Sequence, residues 1–399
     1  MTHNSKEEVS LKLTENIEKK ISRLLKGQQE HVVNATGVLL HTGLGRCPLS
    51  DQLFEEAYDS LVGYQTLEID KNSGKRINRS TNIQKILAML AGSEDALLVN
   101  NNAAAIFIIL NTLAKSKEVI ISRGEMVEIG DGFRILEIVK ASGPKLIEVG
   151  ATNITKPKDY ENAISDKTRV LLKIHKSNYQ VKGYSSYCDP SELIEVGKKM
   201  NIPVFYDLGS ASFTDLKIEI KPLFKKGISV VSFSGDKLFG SVQAGLILGK
   251  KCILDKIRKN HLLRTIRLDK TSIILLQKTI QFYLENKTEK IPIVDLHNRE
   301  IKDLEIFANT IISKTKNTNI SLKITQKEAC LGGGSLFESL PSIAISIEHK
   351  LKSCTKISNA LRQNSTPIWG YIEDDKFFLN IRTLFEKDIE VIVKALNQI

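Results

Sequence analysis

The sequence has few of the residues that staple a chain together. Its 399 residues hold five cysteines, nine prolines and one tryptophan. Cys47, Cys188, Cys252, Cys330 and Cys354 are scattered, odd in number and without CxxC spacing, which excludes both a zinc site and a disulfide framework. They read as reduced thiols, and no metal is expected. No apolar run approaches the ~18 residues of a membrane span, and the polar, acid-bearing start MTHNSKEEVS suits neither a signal peptide nor a transit peptide. A soluble cytoplasmic protein with no membrane partner is expected. Internal repeats and low-complexity tracts are also missing.

What is present is an ordinary globular composition, 42% apolar, on a chain long enough for a full α/β core and a second, smaller domain. The net charge of +11 would suit a nucleic-acid partner, but lysine is spread along the chain instead of gathered in blocks. Residues 1–30 read as an amphipathic helical segment, with Ile17, Ile21, Leu24 and Leu25 at helical spacing. From about residue 96, the β-rich runs ALLV, EVIIS, KLIEV, VLLKIH, VFYDLG, SVVSFS and LILGK alternate with helical stretches. That alternation predicts a large, mostly parallel sheet covered by helices, over 31–289. After a helical stretch to 289 the character changes, and SLKIT, SIAISIE and IWGYIEDDKFFLNIR predict a small C-terminal α+β domain over 290–399. The last run reads as a hairpin turning at Glu373 to Lys376.

Chemistry gathers where the strands end. VFYDLGS carries Asp207 to the carboxyl edge of one strand, and VVSFSGDKLFG carries Lys237 just past another; ligands of open α/β sheets bind at that edge. An acid that keeps a pyridine nitrogen protonated and a lysine that holds an aldehyde are the two requirements of a pyridoxal-5'-phosphate (PLP) site. Alone, Asp207 reads equally as a turn cap and Lys237 as a solvated loop lysine. Together, with Gly235 and Gly240 freeing the backbone, they read as a cofactor site. The run ALLVNNNAAAIFIIL adds a strand, a bend and an apolar helix, so Asn101, Asn102 and Ala103 at a buried helix N-terminus are expected to hold the cofactor phosphate, with Ser234 as a second donor.

These residues fall within a longer series of motifs. In order they are NATGVLLHTGLGR, VNNNAAA, SRGEMVEIGDGFRI, EVGATNIT, HKSNY, DLGSAS, VSFSGDKLFG, QAG, LLRTIRLDK and LGGGSLFESLPS. From about residue 31 onward the chain resembles the bacterial selenocysteine synthases, the L-seryl-tRNA(Sec) selenium transferases. The resemblance implies PLP-dependent fold type I, the aspartate aminotransferase-like class. It also implies conversion of seryl-tRNA(Sec) to selenocysteinyl-tRNA(Sec) with selenophosphate, by loss of the serine hydroxyl and addition of selenium to an aminoacrylate. Lys237 would carry the cofactor as a Schiff base, and Asp236 would protonate the departing hydroxyl. Arg46, Arg264 and Arg267 would hold the selenophosphate anion, the last two three apart on an expected helix face. Arg382 matches no role.

Family members usually carry a helical, tRNA-binding domain before NATG, where about thirty residues stand here. Gly43, Lys176, Ser241 and Val242 also depart from the residues usual at their positions. A lyase or transferase acting on a small amino compound such as an amino-sugar acid is the second reading, and a catalytically silent RNA-binding relative the third. A homo-oligomer, at least a dimer, is expected because PLP sites of this fold usually borrow residues from a neighbouring subunit.

Overall fold

The computed structural model describes residues 29–129, 132–176, 179–214, 220–333 and 335–399, with a few helical residues between 13 and 21. Most of the expected helix over 1–30 therefore lies outside the described residues. Seven strands build the main sheet: β1 (Asp95–Val99), β2 (Glu118–Ser122), β3 (Lys145–Val149), β4 (Thr168–Ile174), β5 (Val204–Ser210), β6 (Val230–Ser234) and β7 (Gly245–Gly249). They correspond one for one to the apolar runs of the sequence. Their order is β3-β2-β4-β5-β6-β7-β1. All neighbours run parallel except β7, which is antiparallel to both β6 and β1.

Every residue of β6 and of β7 is buried, as expected where helices cover both faces of a sheet. Local signals start and stop the connecting helices. In CDPSELIEVGKKMN, Asp189 accepts from Ser191 N–H, Glu192 accepts back from Asp189 N–H at 2.7 Å, and Asn201 ends the helix at φ 52. This capping box and left-handed stop deliver the chain into β5. Helix α1 (Asn102–Ala114) buries Ile106, Ile108, Ile109 and Leu110, so it is apolar nearly all round and lies inside the main core cluster. Among the described residues no helix is long and apolar enough to cross a membrane.

The chain divides into two compact units, one of residues 38–300 and 328–341, the other of 1–37, 301–327 and 342–399. These bounds differ from the expected breaks at 30 and 289 for identifiable reasons. Val33–Asn34 pairs in parallel with Ile368–Trp369, which ties the segment to the smaller unit. Ile291 and Ile293 are buried against the loop that follows β6, which keeps residues 290–300 in the larger one. In the smaller unit Ala344–Ile347 pairs with Phe377–Asn380, and a hairpin closes at Asp374 and Asp375, both at positive φ. Its core alternates along the strands, through Ile343, Ile345 and Ile347 and through Phe377, Leu379 and Ile381.

One glycine in the larger unit is tightly constrained. Gly240 has φ +76, and a Cβ there would meet Ile291 Cγ2 at 2.2 Å. Left-handed strain and overpacking act together, so Gly240→Ala is expected to lower stability by about 3 kcal/mol. A denaturant titration of both proteins measures this as a fall in midpoint at unchanged slope.

Candidate active site

The carboxyl edge of β5 and β6 gathers the reactive groups. Asp207 is 2% exposed, at a point where the register between the two strands slips past Leu208. This bulge turns Gly209 N–H back onto Asp207 Oδ1 at 3.0 Å. Asn102 Nδ2 donates to the same oxygen at 2.8 Å, and Ser232 Oγ at 3.3 Å. Three donors thus converge on Oδ1, and among the described residues none reaches Oδ2. Burial raises the Asp207 pKa, while these hydrogen bonds and the Lys237 charge pull it back down.

Lys237 lies in the turn after β6. Leu238 N–H donates to Ser210 Oγ at 3.3 Å and Gly240 N–H to the Lys237 carbonyl at 2.9 Å. The turn is therefore tied to β5. Burial lowers the Lys237 pKa; Asp207 and then Asp236 raise it again, and Arg46 lowers it. A lysine biased toward the neutral amine is the form that attacks an aldehyde. Its neighbour Asp236 pairs with Arg46 at 2.6 Å, the carboxylate 13% exposed and the guanidinium 41%. Arg46 holds φ 66 in the turn that follows Val38–Leu40, with its N–H bonded to the His41 carbonyl. A non-glycine residue in that conformation indicates a position the surroundings hold in place.

The helix N-terminus lies at the same edge. Asn101 is the N-cap of α1, its Oδ1 accepting from Ala104 N–H at 2.8 Å. The N–H groups of Asn102 and Ala103 have no intrahelical acceptor by the geometry of a first turn. Gly245 of β7 lets this turn approach, since a Cβ there would stand 2.2 Å from the Asn101 carbonyl oxygen. Ser234, the last residue of β6, is buried three positions before Lys237. Asn102 does more than the sequence suggested, because its side chain holds Asp207 while its Oδ1 is buried with no hydrogen-bond partner.

The two other arginines sit on a turn tied to the chain beside the Asn101 cap, where Asn100 N–H donates to the Ile266 carbonyl at 2.9 Å. Arg264 belongs to a short 3-10 helix, His261–Ile266, and Arg267 follows its end at ψ 142, so the expected shared helix face does not form. Asn260 starts that turn and Asp269 caps the next helix. Both line a recess of about 570 Å³ with Arg79, Arg258, Lys259 and His261 among its walls. Lys237, Asp236 and Arg46 do not line it. Glu68 tempers its charge: it accepts from Arg79 at 2.6 Å and Arg76 at 2.5 Å, and lies 3.9 Å from Arg267. Hydrogen bonds from Arg76 and Arg79 hold the Glu68 carboxyl down at about 2.

Sequence reasoning missed Glu125. It is 2% exposed, takes the Lys173 ammonium at 2.6 Å on Oε1 and accepts Ile174 N–H at 3.0 Å on Oε2. It thus fixes the end of β4, where His175 N–H donates to the Asp207 carbonyl. The signal was Lys173 itself, a charge inside the apolar run VLLKIH, which demands a buried partner.

Comparison with known proteins shows the family. The family model for L-seryl-tRNA selenium transferase matches residues 32–385. The chain belongs to the L-seryl-tRNA selenium transferase family. Family members named L-seryl-tRNA(Sec) selenium transferase include that of Nautilia profundicola, 42% identical over 97% of this chain and 87% of its own length. Those of Aquifex aeolicus, 41% identical over 96% and 87%, and of Alkaliphilus oremlandii, 41% over 92% and 81%, are similar. Among solved structures, a D-glucosaminate-6-phosphate ammonia-lyase superposes with TM-score 0.67 at 18% identity, covering 96% of this chain and 97% of its own. A structure of SPT with PLP gives 0.50 at 12%, over 93% and 88%. At such identities these likenesses show the fold, and it is that of the PLP-dependent type I enzymes.

The site fits PLP on its own terms. It offers an open carboxylate oxygen on a buried acid for the pyridinium N–H, an orphaned Asn102 Oδ1 beside it, unsatisfied N–H groups at a half-buried helix start for phosphate, and an amine of lowered pKa for the aldehyde. As a member of this family the chain is a PLP-dependent selenium transferase.

Proposed function

We propose that the chain converts seryl-tRNA(Sec) to selenocysteinyl-tRNA(Sec) with selenophosphate. The observation that carries the reading is the delivery of Asp207 and Lys237 to one sheet edge, in a chain of this family. Lys237 holds the cofactor aldehyde and Asp207 its ring nitrogen, while Asn101, Asn102, Ala103 and Ser234 hold its phosphate. Bound there, PLP supplies an electron sink that makes the α-proton of serine acidic.

The chain's own residues then move protons and fix charge. The Lys237 amine takes the α-proton, and Asp236, after leaving Arg46 and taking a proton from solvent, gives that proton to the departing β-hydroxyl, since hydroxide is a poor leaving group. Arg46 holds selenophosphate through charge-assisted hydrogen bonds, and Arg264 and Arg267, whose recess Arg46 does not line, reach the same anion from a neighbouring subunit. Arg46 serves two anions, because its guanidinium already engages Asp236.

A homo-oligomer, at least a dimer, accords with the helix Asp51–Val62, where Phe54, Tyr58 and Val62 recur at i, i+4, i+8 and are exposed. An aminoacyl-tRNA substrate places the reaction in the cytoplasm. The test is a two-stage assay with seryl-tRNA(Sec), selenophosphate and PLP. Arg264→Ala or Arg267→Ala is expected to slow selenium transfer by about 10–100-fold while α-proton exchange in the seryl group persists, because the first stage needs no donor. Loss of exchange and transfer together would make these arginines structural. Failure of the unaltered enzyme to form selenocysteinyl-tRNA would end the functional reading.

A further inference from the structure

The loop that leaves β4 combines two features that do not ordinarily coexist: it is firmly anchored, and it displays large aromatic rings. Tyr184 is 88% exposed and Tyr187 61%. A tyrosine has no packing reason to stand in water on an ordered segment. Yet this segment is held at both ends and in the middle. Tyr179 hydroxyl donates to the Gly124 carbonyl, and Asn153 Nδ2 donates to the Tyr184 carbonyl at 2.7 Å. Ser186 N–H bonds Asn153 O at 2.8 Å, Thr155 N–H bonds Ser186 O at 3.0 Å, and the Cys188 carbonyl takes Lys173 Nζ at 2.7 Å.

Cations accompany the rings. Lys176 Nζ lies 5.0 Å from the Tyr187 ring centroid, and Lys182 is exposed two residues before Tyr184. The nearest acids of the following helix, Asp189 and Glu192, are engaged in its capping box. The location is also informative. Lys176 directly follows His175, whose N–H donates to the Asp207 carbonyl, so the loop begins at the cofactor edge.

We propose that Tyr184 and Tyr187, with Lys176 and Lys182, form a stacking platform for the single-stranded 3' end of the substrate tRNA. The inference rests on the functional reading above and adds where the RNA is gripped. Every tRNA presents its amino acid on an unpaired CCA end. Each base offers a π face and each linkage a phosphate, and exposed aromatic rings beside ammonium groups match that pairing. Because residues 179–188 are already tied down, little conformational entropy is lost there on binding.

The test compares dissociation constants of the PLP-loaded enzyme for tRNA(Sec) with and without its 3'-CCA, at one fixed salt concentration. Removing CCA should weaken binding to the unaltered enzyme about tenfold or more. The Tyr184→Ala/Tyr187→Ala double variant should lose a comparable factor with intact tRNA and nothing with trimmed tRNA. The Tyr184→Phe/Tyr187→Phe variant should keep its affinity, because the rings remain. Equal affinity of the alanine variant and the unaltered enzyme for intact tRNA overturns the platform, as does an equal loss with both RNAs or a phenylalanine variant as weak as the alanine one. If the unaltered enzyme binds neither RNA, the functional reading falls and the platform with it; tight binding that ignores both tyrosines removes the platform alone.

Discussion

A Lys237→Ala variant is expected to purify without the yellow colour of bound PLP, to yield no borohydride-fixed peptide, and to lose activity by at least about 10²–10⁴-fold from the missing proton carrier alone. Only the attachment point and the base are removed, since the turn is held by backbone bonds from Leu238 and Gly240 and by Gly235 N–H to Ala244 O. The variant should therefore keep the circular dichroism spectrum and cooperative unfolding of the parent. Peptide mapping after borohydride reduction checks the assignment: a pyridoxyl group on any other lysine would remove Lys237 from the reaction.

Asp207→Asn should separate function from stability. An amide oxygen at the Oδ1 position keeps the bonds from Asn102, Gly209 and Ser232, but places an NH2 group where Oδ2 stands open. That group faces the pyridinium N–H donor to donor, so activity should fall on the order of 10²-fold or more. Stability should move the other way in cofactor-free protein. Folding raises the Asp207 pKa, chiefly through burial. The carboxyl's contribution is then complete below its unfolded-state value of about 3.9 and is lost as pH rises through the folded value. At neutral pH the neutral amide escapes that loss, and thermal melts should find Asp207→Asn no less stable than the parent. A variant that is both inactive and clearly unstable would mean that the charge of Asp207 serves the fold.

The strands were legible because each is a short apolar run closed by turn residues, and Asp207 and Lys237 were legible because each ends such a run. Contacts distant in sequence carried no such mark. Arg46 and Asp236 are 190 positions apart, and nothing in HTGLGR or SGDK announces that they pair. Asn102 reads as a helix-start residue, yet its side chain serves β5. Arg264 and Arg267 were assigned to a helix because their three-residue spacing suits one. The structure instead winds Arg264 into a 3-10 turn that ends at Ile266, and a three-residue spacing suits that turn as well as an α-helix.

The antiparallel strand β7 has a consequence for how the protein forms. Val99 of β1 pairs with Gly245, so the first strand of the main sheet has no sheet neighbour until the last one emerges from the ribosome. Until then β1 leaves an open edge beside one of the most apolar helices in the chain, and closure across so long a loop is slow. The same late arrival brings Gly245 against Asn101 and completes the helix start that receives phosphate. Cofactor capture is thereby made a late event in biogenesis, and a nascent chain without it is the species most in need of a chaperone.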